Sequence, residues 1–533
     1  MATPANPVPA GIFGRASSGL VRQVSTLDTL YYCLIQVAVQ FVFFIIAFWA
    51  FYPQASMELA TVASIVGAGL VGIVYAMYSS VFPRSGGEYV FLSRTMHPAL
   101  GFVASFAFAI LSAFATGQTA AFVSIYAIAP FLAALGLQLN NPGLTSLSTT
   151  ISSGAGLFAV SVPIVLVFAF VLYRGMKQYF TVQRWLVIAA VISLAITVLV
   201  LLLGVVGVFS FQANFDALTS AGSYAKVIAD GTAAGADLTP GYSLPATANF
   251  IVWPALSLLL AMTSVSFSGE VRNVRRGQLI GIVGAVVIGG LVIAVLQFLA
   301  EAAIGSDFLK TSAFLAITAP QQWPLPNVWF SLLASIVANN VLLTVLINVW
   351  FIVLSLALPA ATMIYASRAF FAWSIDGMAP EQLGRVSDKH HSPVWAIGLT
   401  AALAVLTLVA YCFTTLFTTA SALLPQSIVF LVVCVAGILL PFVRRELYQA
   451  STIRMSVFGL PVISVAGLGG AIFTGWVVYR AAVDNNFGVN TPFSIYATIG
   501  LFVLGAVAFY AIRWYRRREG VDIDARFSEI PIE

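Results

Sequence analysis

Charge is the scarcest property of this 533-residue sequence: Asp, Glu, Lys and Arg make up 8% of it, against 60% hydrophobic residues. A soluble domain carries about 25% charged residues. A chain so poor in charge cannot cover itself with polar surface in water, so its solvent is lipid. No nucleic-acid partner is expected. Cysteine is nearly as scarce. Cys33, Cys412 and Cys434 all lie in apolar runs, are odd in number and fit no metal-ligand spacing, so they read as packing residues. The histidines are His97, His390 and His391, and the adjacent pair reads as a solvated loop tip. No Gly-x-x-x-x-Gly-Lys-Ser/Thr loop occurs, which excludes ATP hydrolysis of that kind. His-Glu-x-x-His and Gly-x-Ser-x-Gly are also missing. No nucleophile, base or metal set converges at membrane depth, so the chain is not expected to be an enzyme. The first 24 residues lack an apolar stretch followed by a cleavage site, so the first helix is expected to insert directly.

What the sequence has is apolar length. A spanning helix needs roughly 20 mostly apolar residues. Twelve such runs are predicted, at about 28–51, 57–82, 99–133, 157–173, 184–209, 249–268, 278–301, 338–373, 394–412, 415–442, 457–480 and 493–515. The eighth is too long for one straight crossing, and residues 326–337 before it are expected to form a separate outer helix. With the N-terminus inside, only Lys226, Lys310 and Arg480 of the 24 Lys and Arg residues fall in outer segments. That asymmetry supports both the number of spans and cytoplasmic N- and C-termini, as in a multi-pass plasma-membrane protein. The outer loop at about 211–247, rich in Gly, Ala, Ser and Thr, reads as polar and irregular. Glu58 and Glu301 sit near predicted outer ends, and the sequence shows no chain of buried acids for proton relay and no arginine ladder.

Short motifs punctuate the inner loops. After the second span stands Phe82-Pro83-Arg84-Ser85-Gly86-Gly87-Glu88-Tyr89, then Leu92-Ser93-Arg94 and His97-Pro98-Ala99-Leu100-Gly101-Phe102. Gly269-Glu270-Val271-Arg272-Asn273 follows the sixth span, and Ser367-Arg368 leads to Asp376-Gly377-Met378-Ala379-Pro380 after the eighth. Ser392-Pro393 opens the ninth, and Pro441 to Arg445 closes the tenth. In this order and spacing, over about residues 25–450, the strings closely resemble the signatures of the amino acid-polyamine-organocation permeases.

The resemblance implies an all-α polytopic membrane protein with about 12 transmembrane helices, in a leucine-transporter-like 5+5 inverted repeat plus two C-terminal helices. Residues 1–26 would be a cytoplasmic tail, 27–210 the first repeat, 211–248 an outer loop and 249–443 the second repeat. Residues 444–515 would carry spans 11 and 12, and 516–533 a second cytoplasmic tail. It further implies a secondary transporter that moves an amino acid or a related small amine or organic solute by alternating access. A transporter-like sensor or scaffold, or a channel, is the rival reading. The short tail from Arg516 to Glu533 counts against a sensor, and the charge-free spans against a channel.

In such folds the first and sixth helices break near the midplane, and free backbone groups there attract both ends of a zwitterion. The stretch Tyr32–Gln40 contains no glycine or proline, and Leu258–Ser268 contains no glycine. Candidate substrate contacts are Gln36, Ala38 and Gln40 on the first helix, with Ser257, Thr263, Ser264 and Ser266 on the sixth. Thr116, Gln118 and Thr119 cluster on the third. Asn348, about 13 Å below Asn339 at 1.5 Å per residue, is either a site residue or an interhelical bond. Trp49, Trp253, Trp329 and Trp476 read as interfacial belt rather than lids. Asp376 is expected to pair with Arg22 or Arg15 as an inner latch. No cofactor is implied beyond a coupling proton or sodium ion, which stays open. Residues 185–209 hold no lysine of the kind some relatives use, and Ser355 or Thr362 are the candidate sodium ligands. The lack of a buried acid favours a neutral or zwitterionic substrate over a polyamine.

Overall fold

The computed structural model describes residues 19–414, 423–451, 453–486 and 490–528. Twelve helices among them are long and apolar enough to cross a membrane: Thr26–Phe51, Met57–Val81, Pro98–Gln138, Gly154–Tyr173, Met176–Val205, Leu244–Ser266, Val274–Ile304, Val341–Ile375, Val394–Phe413, Leu423–Val443, Val462–Val483 and Pro492–Arg518. All twelve coincide with the apolar runs of the sequence; the expected start of the tenth, at 415, lies outside the described residues. The only strands among the described residues form a two-residue hairpin, Ser456–Val457 with Leu460–Pro461. Lipid is a solvent without hydrogen bonds, so a spanning backbone must satisfy itself, and helices do so. The exposed large side chains are correspondingly apolar, including Trp185, Phe170, Ile472 and Val503.

Burial orders the spans. In the first and sixth, 78% and 72% of the apolar window is buried, against 17% in the twelfth. The two helices expected to break are therefore the two most enclosed. The first starts on Ser25, whose hydroxyl caps the Asp28 amide while Asp28 accepts back from the Ser25 backbone. The same carboxylate takes a bidentate bond from Arg184 on the fifth span, at 2.6 and 2.8 Å.

The two halves of the chain carry matching features. Spans 1 and 6 both lose their α-helical ladder, spans 3 and 8 are long, and short helices follow spans 2 and 7, at Glu88–Thr95, Ser306–Thr318 and Phe330–Ala338. The last is the separate helix expected before span 8. It ends on Asn339 in left-handed conformation. The third span runs to Gln138 rather than to about 133, through a π-turn at Val123–Ile128.

The loop after span 5 differs from its reading as irregular. It folds into helices Phe211–Leu218 and Ser223–Ala233. The cause is aromatic: Phe211, Phe215 and Tyr224 all close on Phe308, with ring centroids 5.1, 4.9 and 4.7 Å away. Small polar residues dominate the composition of this loop, but three rings fix its path.

Candidate functional site

The first helix breaks at Ala38. Its φ is 50°, a left-handed conformation that costs a non-glycine residue roughly 1–2 kcal/mol. A 3-10 turn, Val39–Phe41, follows before the helix resumes. On the sixth span the α-helix stops at Leu258 and continues as a 3-10 run, Leu259–Ser266. The 3-10 run of span six packs on the helix Thr26–Val37 just before the break, and the Ser257 hydroxyl donates to the Val37 carbonyl at its end.

Around this junction lie the amide and hydroxyl groups named from the sequence. Gln36 Nε2 donates to Thr263 Oγ1 at 2.7 Å and to the Tyr32 hydroxyl at 3.1 Å, and Tyr32 donates to the Ala361 carbonyl on the eighth span. Gln36 thus ties the first, sixth and eighth spans into one polar cluster, while its own Oε1 has no protein partner. Gln40 is 1% exposed, and neither of its amide atoms meets a protein partner. A buried amide left so is costly unless a ligand or water completes it.

Other expected contacts go elsewhere. Ser264 donates to Gln278 Oε1, and Gln278 returns bonds to the Ser264 carbonyl and Ser268, which closes the turn into span 7. Asn348 donates to Ser335 Oγ and the Thr344 carbonyl, both at 2.8 Å, and Thr344 bonds Gln138. Its Nδ2 thus makes an interhelical bond, while its Oδ1 has no protein partner. Gln118 is half-buried, and no hydrogen bond joins it to the junction. Its neighbour Thr116 meets Thr362 Oγ1 at 3.1 Å, which occupies one of the candidate sodium ligands.

Beyond the break the lining turns aromatic. Tyr126 stacks on Phe43 and meets Phe44, Phe122 and Trp329 edge-on, at centroid distances of 4.6 to 4.9 Å. Trp253 stacks on Phe48 at 4.1 Å with planes 14° apart. Trp253 is 5% exposed and so is not part of an interfacial belt. Trp329 likewise faces Phe43 and Phe44 rather than a headgroup layer. Trp49 is buried with Lys310 over its ring at 4.2 Å, and Trp476 donates to the Ala248 carbonyl.

On the arginine-rich face the signature strings converge. Gly86 donates to the Ser266 carbonyl, and a Cβ on Gly87 would lie 2.8 Å from Val265. Both glycines have positive φ, so the pair lets the turn sit flush against the end of helix six. Gln23 and Val24 donate to the Glu270 carbonyl, and Arg272 returns a bond to Val24. Two ion pairs with buried side chains close this face, Arg368–Glu270 at 3.0 Å and Arg94–Asp376 at 2.7 Å. Asp376, the expected latch residue, pairs with Arg94 in the protein interior, and Arg22 is exposed. Arg15 lies outside the described residues.

Glu88 overturns the reading that no acid is buried. It is fully enclosed and accepts a hydrogen bond from the Tyr365 hydroxyl at 2.7 Å. Hydropathy placed it in a solvated turn, because a charge next to two glycines looks the same whether or not helices close over it.

A polytopic helical membrane protein with two interrupted helices and a buried polar junction between them has the build of a solute transporter. Residues 27–504 match the family model described as amino acid permease. Over 467 residues, 85% of each chain, the sequence is 22% identical to the branched-chain amino acid permease BcaP of Lactococcus lactis subsp. cremoris (strain MG1363). The chain belongs to the amino acid permease family: it is a multi-pass membrane protein of amino acid transport, not an enzyme.

Proposed function

We propose that this chain is a secondary transporter that carries a zwitterionic amino acid with an apolar side chain by alternating access. Residues 27–210 and 249–443 are the two repeats, and the arginine-rich face is cytoplasmic at the plasma membrane, as the positive-inside asymmetry requires. The observation that carries this reading is the junction at Ala38 and Leu259–Ser266, where Gln36 Oε1 and both amide atoms of Gln40 lack protein partners and an aromatic cluster begins at Phe41. Interrupted helices offer amide and carbonyl groups to both ends of a zwitterion. Tyr126, Phe44 and Trp253 offer apolar surface to the side chain. The branched-chain substrate in the name of the relative points the same way.

Counterflow tests it. Purified protein in liposomes preloaded with one unlabelled amino acid, without an ion gradient, is given the labelled form outside. Leucine, isoleucine or valine should accumulate above empty liposomes. No accumulation with any of the twenty amino acids ends the transport reading.

A further inference from the structure

Glu88 begins the short helix Glu88–Thr95, between the substrate junction and the arginine-rich face. Its carboxyl is enclosed by four spans. Tyr365, on the eighth, donates to one oxygen, and the other has no protein partner. The Tyr75 hydroxyl of the second span faces it. The third and tenth spans, which pack on this helix, carry no Asp, Glu, Lys or Arg within Pro98–Gln138 or Leu423–Val443; Cys434 lies beside Tyr75. The nearby cations are committed elsewhere. Arg94 is paired with Asp376, Arg368 with Glu270, and Arg526 of the last helix lies against Gly377. Among the described residues, every other buried acid of the arginine-rich face has an arginine, whereas Glu88 has tyrosines. A carboxylate without a cation in so dry a place is held neutral by protonation.

We propose that Glu88 is a proton-binding site of the gate on the arginine-rich face, occupied while the gate is shut and emptied to water when it opens. Tyr365 is one turn from Arg368 on the same helix, and Gly86 and Gly87 hang on the Ser266 end of helix six. Parting these elements lets water reach the carboxyl, which ionises and releases its proton to the arginine-rich side. A proton on Glu88 therefore favours the shut gate. The inference rests on the alternating-access reading above, but not on any particular substrate.

Burial pushes the shut-state carboxyl up to about 7 from its ordinary 4.5, with the Tyr365 hydrogen bond opposing. In the hydrated open state it returns toward the ordinary value. Between those values the shut state holds a proton that the open state has lost, so acidification closes the gate by up to about tenfold per pH unit. Above about 7 neither state holds it and the dependence flattens.

Hydrogen–deuterium exchange on the full chain in lipid nanodiscs, without substrate, reads this directly. Protection of residues 85–90 and 264–271, corrected for the intrinsic exchange rate, should rise tenfold or more from pH 7.5 to 5.5. Glu88→Gln, permanently neutral, should hold the acid-state protection across the range. A native protein with flat protection, or a Glu88→Gln variant that follows the native curve, overturns the proposal. If Glu88→Gln is not recovered folded, Tyr365→Phe decides. It removes the bond that favours the carboxylate, so the midpoint should move to higher pH, and an unmoved midpoint counts against the site. Because no substrate is present, failure here leaves counterflow untouched, and failure of counterflow leaves this response intact.

Discussion

Ala38 shows what a single residue can conceal. Alanine is the best helix former, yet here it takes the left-handed conformation that interrupts the first span. The strain is held by packing, since Ala38 is fully buried and Ser257 bonds the carbonyl just before it. Around it, residues of one chemical type play different parts. Gln40 is buried with neither amide atom partnered, whereas Asn348 is tied through its Nδ2 to Ser335 and Thr344 and leaves only Oδ1 unpartnered. Opposite outcomes follow on substitution. Gln40→Ala should raise KM in uptake about tenfold, as loss of one substrate hydrogen bond does, with Tm nearly unchanged. Asn348→Ala should lower Tm, by about 1–2 kcal/mol of stability, and leave KM within twofold. A lower Tm for Gln40→Ala with native KM would assign that residue to packing instead. The identities of both were legible in the sequence, but not which amide had its partners already. Pairing depends on helices far apart in the chain.

At the scale of elements, the arginine-rich face is held by a set of contacts between the end of span six, the short helix after span two and span eight. Arg368–Glu270 is its most enclosed ion pair, with both side chains 1% exposed. Removing one partner of such a pair leaves a buried charge and costs about 3–5 kcal/mol, while replacing both with apolar groups is often near neutral. Glu270→Met should therefore lower Tm by several degrees and loosen the gate, and Arg368→Met with Glu270→Met should recover most of the Tm. Thermal unfolding of the two variants in one detergent checks this. A double variant no better than the single would show that the pair itself, not the orphaned arginine, sets the cost. The sequence placed Glu270 and Arg368 in recurring strings, as it did Arg94 and Asp376. It did not show which acid meets which arginine. Twelve spans followed from apolar length, which is additive along the chain. Ion pairing is decided by three-dimensional burial, which brings Arg94 to Asp376 and encloses Glu88.

Across the whole molecule, the two ends of the site differ in chemistry. Ion pairs and backbone bonds hold the arginine-rich end together, and stacked rings the other. Rings separate without leaving unpaired charge, so the aromatic end suits repeated opening toward the side from which an apolar substrate would enter. Trp253 is the ring whose role distinguishes a gate from a membrane belt. Trp253→Ala removes its stacking on Phe48 and Phe44 from a buried cluster, a change worth about 3–5 kcal/mol in a packed core. Closure over bound substrate should weaken. Uptake of the counterflow substrate should fall at least tenfold in kcat, and a water-soluble thiol reagent should gain access to a cysteine placed at Ala38 from the aromatic side. Trp514→Ala is the matched control, because Trp514 is 57% exposed on the last span and packs under Arg518. It should transport within twofold of the native protein. If Trp253→Ala also transports at the native rate with Ala38→Cys unreactive, the rings are ordinary packing. The outer barrier to substrate would then have to lie in the loop helices that Phe308 holds in place.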